Sequence, residues 1–236
     1  MLLEVIATNV DEARVAAQNG ADRIELIDCM EVGGVTPRPE LIEEVIQAVN
    51  IPVNVMIRPH PLSFRYDPND FETMNRDMKR VKQLNGNGIV IGALTEEKHI
   101  DEENMLSLLR EVQGLDVTFH RAFDEVADQI ASLRRLLQFP QIKRILTSGG
   151  AVAAPKAIHH FKKLVEHAEG TGIAIMAGSG LNLSNLQAFI EQTGVHEIHM
   201  GKGVRYGNSE KGIDPEKLKK VKQIVSFVDS NAFKKH

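Results

Sequence analysis

Four residues of this 236-residue chain, His120, Glu25, Arg58 and Asp124, have the types and settings that acid–base chemistry needs. An imidazole titrates near neutral pH, which makes His120 in Thr118-Phe119-His120-Arg121-Ala122-Phe123-Asp124 the first candidate for a general acid or base. Asp124 either orients that ring, binds substrate or caps the helix that follows. Arg58 ends the run Met56-Ile57-Arg58 before Pro59, where a guanidinium suits a carboxylate or phosphate held by two parallel hydrogen bonds. The irregular stretch from His60 to Asp70 is long enough to act as a lid.

A second set of residues suits an anion. Glycine lets backbone approach a ligand, and N–H groups at a helix start attract negative charge. The turns Gly178-Ser179-Gly180 and Gly201-Lys202-Gly203, with Arg121, are therefore candidates; the alternative is that the glycines serve plain connecting turns. Metal-ligating patterns are sparse. His196 and His199 are three apart, which on a strand puts them on opposite faces. His159 and His160 sit beside Lys162 and Lys163 on an expected exposed helix face. Cys29 and Met30 form a soft pair that can meet Cu(I), although a lone Cys beside a lone Met usually serves packing.

The elements that must position these groups are short Val- and Ile-rich runs: 2–6, 23–26, 53–57, 88–91, 117–120, 144–147, 173–176 and 197–200. Each precedes a stretch with helical start or stop signals. Asn9 or Asp11 can cap the first helix, Pro39 opens the second, Asp70 can cap the third, Ser184 the seventh, and Asp214-Pro215 begins the last. The basic tail Lys234-Lys235-His236 is expected to fray. Eight strand–helix units in one chain without a composition break point to a single-domain α/β fold over residues 1–236, a (β/α)8 TIM barrel. A doubly wound open sheet is the alternative.

Alternation along the strands sorts the residues further. Leu3, Val5, Ile24, Leu26, Val53, Val55, Val117, Phe119 and Ile198 share the face that packs under helices. Glu4, Glu25, Asn54, Arg58, Thr118, His120, Glu197 and His199 then point into the barrel. That interior is unusually polar, since buried charge is costly unless paired. Either it is a closed ion-pair network or it is a site for a polar ligand.

Bulk properties exclude other classes. The net charge of -4 gives no electrostatic footprint for nucleic acid. No apolar run approaches a membrane span, the first residues lack a signal-peptide pattern, and a single cysteine fits a reducing compartment, so the cytoplasm is expected. A homodimer is the expected assembly, being the commonest among soluble oligomers.

Several strings together resemble one known family. GADRIEL (20–26), Gly33-Gly34-Val35-Thr36-Pro37, PVNVMIRP (52–59), TFHRAFD (118–124), ILTSG (145–149) and IMAGSG (175–180) resemble the CutC family, named as copper homeostasis proteins. The resemblance implies a cytoplasmic (β/α)8 barrel and a role in copper handling. The residues matching the family pattern at the barrel mouth are Glu4, Glu25, Arg58, His120, Arg121, Asp124 and His199. Two cysteine positions that the family associates with Cu(I) are occupied by Ile6 and Ile27. The run His199-Met200-Gly201-Lys202-Gly203 stands where His-x-Ser-Ala-Arg is usual, and His60-Pro61-Leu62 where Arg-Gly-Gly is usual. Copper is accordingly expected to bind weakly or not at all through those positions. Two functions remain: a copper-homeostasis protein that binds or traffics copper, or a barrel enzyme on a small anionic metabolite. In the second, Arg58 and the glycine turns hold the anion while His120 and Glu25 move protons.

Overall fold

The Val- and Ile-rich runs pair side by side, each parallel to the next, and the eighth returns to the first. A computed structural model describes residues 1–207 and 211–232; the basic tail 234–236 lies outside them. The strands are β1 (Leu2–Ala7), β2 (Arg23–Leu26), β3 (Val53–Met56), β4 (Gly88–Ile91), β5 (Asp116–Phe119), β6 (Ile142–Thr147), β7 (Ala174–Ala177) and β8 (Glu197–Met200). They form a closed barrel in sequence order. Between and after them run α1 (Val10–Gln18), α2 (Pro39–Ala48), α3 (Pro68–Gln83), α4 (Glu102–Glu111), α5 (Gln129–Leu136), α6 (Ile158–Ala168), α7 (Leu186–Thr193) and α8 (Pro215–Ala232). The chain is a single-domain (β/α)8 barrel.

Local chemistry explains the helix starts, with two corrections. Asn9 accepts from the Glu12 N–H at the start of α1, and Asp214 accepts from Glu216 and Lys217 at the start of α8. The cap of α3 is Asp67, and Asp70 is its reciprocal partner three residues on, bonding back to the Asp67 N–H. Ser184 does not cap α7. Its N–H and hydroxyl both bond to Asn182, whose own N–H is held by Asn185, so the polar side chains close a turn ahead of the helix.

The outward apolar set is buried as expected: Leu3, Val5, Ile24, Leu26, Val55, Val117, Phe119 and Ile198 belong to one continuous core between barrel and helices. The strand register stacks the inward residues in layers drawn from alternate strands. The lowest of these layers holds Arg23, Gly88, Arg144 and Glu197. Above it come Glu4, Asn54, Thr118 and Met176, then Glu25, Val90, Leu146 and His199. The next holds Ile6, Met56, His120 and Gly178. Gly92, Ser148 and Gly201 reach the level of the mouth with Ile27. Three glycines in the top two layers leave the upper barrel open, whereas the lower layers are filled by side chains. The fold thus builds a pocket by omitting Cβ atoms at its C-terminal end.

Candidate functional site

The filled lower layers are the closed ion-pair network. Arg23 bridges Glu4 (2.5 Å) and Glu197 (2.6 Å), and Arg144 bridges Glu197 (3.0 Å) and Asp116 (2.8 Å). Arg144 also donates to Thr118. These charges are paired, so burial is tolerated.

Glu4 links this network to the open layers. Burial alone would raise its carboxyl, but Arg23 and the bond from His199 outweigh that and hold it at about 2. Its second oxygen accepts from His199 Nδ1 at 2.8 Å, which turns the other ring nitrogen, Nε2, toward Glu25 at 3.6 Å. Glu25 is 2% exposed, and its Oε1 has no hydrogen-bond partner. Burial, only partly offset by the His199 charge, pushes its carboxyl up to about 7. His199 is raised in turn: burial opposes its charged form, but the two flanking carboxylates prevail. The chain Arg23–Glu4–His199–Glu25 therefore leads from a fixed ion pair to a carboxyl that changes charge near neutrality.

His120 differs from its expected role. It lies just past β5, 2% exposed, and Nδ1 accepts the Ala122 N–H at 3.2 Å. In the neutral ring the proton must then sit on Nε2, an atom buried without a partner. Desolvation first, and the nearby Arg58 charge second, depress its pKa to about 3. At neutral pH His120 is therefore neutral, with Nε2–H as a fixed hydrogen-bond donor. Its neighbours across the barrel are Arg58 and Phe64; Glu25 pairs with His199 instead.

Gly92 fixes where that ring can lie. A Cβ there would come 2.6 Å from His120 Nδ1, so Gly92→Ala is expected to displace the imidazole and cost about 1–3 kcal/mol. Urea denaturation gives the cost. The His120 ring resonances in an NMR spectrum report the displacement, and unchanged resonances would contradict the packing described.

Arg58 and Asp124 are committed to the loops that shape the mouth. Arg58 donates Nη1 to Val32 O and Gly34 O and Nη2 to Pro61 O, and its guanidinium carbon stacks 4.6 Å from the centre of Phe64. Only Nε lacks a partner; the bidentate grip on a ligand expected of Arg58 is replaced by a grip on two loops. The stretch 60–70 is accordingly tied down, with Phe64 against His120 at 4.8 Å. Asp124 neither orients His120 nor caps α5, whose cap is Asp128. Its carboxylate accepts from the N–H of Ser148 and Gly150, from two hydroxyls and from Arg121, pinning the turn after β6.

The anion candidates gather on one side of the mouth. Ser179 and Gly180 both have φ of +74°, and a Cβ on Gly203 would lie 2.2 Å from Leu181 O, so the turns after β7 and β8 interlock. The Ser179 hydroxyl bonds to Val152 O, leaving the turn's backbone as its ligand-facing chemistry. A cavity of about 780 Å3 joins these turns with Lys202, Arg121, His120, Glu25 and His199. Ile6, Ile27, Met56 and Leu146 form its apolar wall. A wider groove of about 900 Å3 lies outside the barrel along α3 and contains none of these groups.

Comparison with known proteins bears on this layout. The CutC family model matches residues 1–204. The chain belongs to the CutC family. A CutC family protein from Pasteurella multocida is 42% identical over 206 residues, 87% of this chain and 84% of that one. The human copper homeostasis protein cutC homolog is 41% identical over 214 residues, 88% of this chain and 78% of its own. The crystal structure of CutC from Streptococcus agalactiae superimposes with a TM-score of 0.80 at 35% identity, covering 84% of this chain and 97% of the other. Phosphoribosylanthranilate isomerase from Pyrococcus furiosus, at 15% identity and a TM-score of 0.63, shares the barrel fold.

The copper named for CutC relatives needs soft ligands if it is Cu(I). Ile6 and Ile27 stand on the cavity wall beside Met56 and Met30, so no thiolate faces that space among the described residues. Cys29 is exposed, and the charge of Asp28 beside it raises its thiol, which disfavours the thiolate that binds metal. Glu4, Glu25 and His199 hold potential ligand atoms within 4.8 Å of one another. The two carboxylates are hard donors and the imidazole a borderline one, and Glu4 is engaged by Arg23 and by His199 Nδ1. Only Glu25 and His199 Nε2 remain, short of the three protein ligands usual at a catalytic zinc. The soft donors left on the cavity wall are the thioethers of Met30 and Met56, without a thiolate beside them among the described residues.

Proposed function

We propose that this CutC protein is a cytoplasmic acid–base enzyme acting on a small phosphorylated or carboxylated metabolite, with Glu25 as the proton-transferring group. The observation that carries this reading is Glu25 itself: a buried carboxyl, unpartnered at one oxygen and poised near neutrality, facing a cavity of ligand size. His120 supplies a donor to the same ligand, and Lys202 and Arg121 attract its anionic end. His199, held by Glu4, shares its proton with Glu25. The free, exposed Cys29 suits a reducing compartment.

The copper role carried in the names of the relatives is weighed against this by titration. Metal-free protein is titrated with Cu(I) against a competing chelator, beside a thermal-shift screen of phosphorylated and carboxylated metabolites on wild type and Lys202→Ala. The expected result is no tight copper binding and at least one metabolite that raises Tm in wild type and less so in Lys202→Ala. Tight Cu(I) binding with no metabolite effect would overturn the enzyme reading.

A further inference from the structure

The two unpartnered atoms in the cavity are complementary. Glu25 Oε1 is an acceptor and base without a donor, and His120 Nε2 is a donor without an acceptor. They stand in adjacent layers on β2 and just past β5, with the cavity between them. The buried Val90 and Leu146 and the half-buried Ile6, which pairs with Glu25 in the sheet, occupy inward positions in the same two layers, so a carboxylate there is poorly solvated and correspondingly basic.

Acyl transfer lacks a part among the described residues of the cavity. It needs a nucleophile activated by a base. Ser148 Oγ donates elsewhere and accepts from Arg121, while Thr147 is bonded to Asp124 and Gln129. A His held neutral cannot protonate a leaving group as a free acid near pH 7, but it can polarise an oxygen that is gaining charge. One base and one neutral donor are what proton removal beside a carbonyl requires.

Resting on the reading of Glu25 as the proton-transferring group, we infer that the site enolises a small carbonyl compound bearing a phosphate or carboxylate tail. Glu25 takes the proton from the carbon next to the carbonyl. The C–H electron pair becomes the carbon–carbon double bond, and the carbonyl pair moves onto oxygen, where the negative charge meets His120 Nε2–H. Glu25 then returns the proton to the same face of the same carbon, giving exchange with retention, or, where that carbon bears a hydroxyl, to the former carbonyl carbon after the hydroxyl proton has shifted between the two oxygens, giving isomerisation. No redox partner is needed. The tail lies toward Lys202 and the turns after β7 and β8, and the acidic residues Glu31 and Glu125 of the mouth sit on the loops after β2 and β5.

Deuterium exchange tests this directly. Full-length protein is incubated in D2O with dihydroxyacetone phosphate and, separately, with pyruvate. Loss of the proton signal beside the carbonyl is followed by NMR, and binding is followed by line broadening of the probe. Exchange above the buffer rate is expected for a bound probe. Glu25→Gln should reduce it about 10²–10⁴-fold, and His120→Phe, which keeps a ring against Phe64, about 10²–10³-fold. A probe that binds but does not exchange, or exchange unchanged in a folded Glu25→Gln protein, overturns the enolisation and leaves the ligand site standing. Failure of both probes to bind contradicts the anion-site reading beneath it as well as this inference.

Discussion

Arg23→Met is expected to cost the fold about 3–5 kcal/mol in urea unfolding at neutral pH, the range for removing one partner of a buried ion pair. Arg23 is 3% exposed and bridges Glu4 and Glu197, two carboxylates contributed by opposite ends of the chain. Methionine fills much of the volume and keeps a sulfur contact available to Met176, which Arg23 now touches, so the cost isolates charge from cavity. Glu197 retains Arg144, but Glu4 keeps only His199, and its carboxyl rises from about 2 once the guanidinium is gone. The effect therefore extends to the mouth, because Glu4 sets which nitrogen of His199 faces Glu25. A loss under 1 kcal/mol would mean that the lower layers are not a coupled network.

The second large effect is on pH dependence. Glu25 is held at about 7 against 4.5 for the free side chain, so the native state binds its proton more tightly than the unfolded chain does. Stability from this group is fully present below pH 4.5 and is lost as pH rises to 7, a change on the order of 3 kcal/mol. His199, also raised, loses stability in the same direction above its unfolded value. His120 acts oppositely: its folded pKa of about 3 makes the unfolded chain the better proton acceptor, so its contribution grows as pH rises to 6.5. Comparing wild type with Glu25→Gln removes the His120 contribution, which both proteins share. Glu25→Gln is expected to gain stability relative to wild type between pH 5 and pH 8, read from urea midpoints at fixed ionic strength. A constant difference across that range would contradict a raised carboxyl.

Most of the architecture was legible because strands and helices carry local signals. The eight apolar runs, their parity and Pro39 at the start of α2 each depend on neighbours a few residues away. Parity also put Glu4, Glu25, Thr118, His120, Glu197 and His199 inside the barrel, where all except the partly exposed Glu197 are buried. What parity cannot give is pairing across the barrel. Glu25 meets His199 because β1 closes against β8 and Glu4 stands between them, a consequence of register that no short window contains. Arg144 turns inward through a register shift between β5 and β6, and nothing in its own stretch announces it.

The reassignment of side chains has a similar cause. Arg58 and Asp124 are charged residues at strand ends, the usual place for chemistry, yet both bind backbone of distant loops. His120 was visible as a candidate, but its tautomer depends on the Ala122 N–H and its depressed pKa on burial beside Arg58. Gly92, which makes room for that ring, gave no sequence signal beyond following an apolar strand.

The most direct measurement is an NMR titration of the Glu25 carboxyl. Protein labelled with carbon-13 at the glutamate carboxyls is titrated from acid to pH 9, and the Glu25 signal is assigned by its absence in Glu25→Gln. A midpoint near the expected value of about 7 places a proton-transferring group at the barrel mouth. A midpoint near 4.5, the value of an unperturbed side chain, would contradict the account.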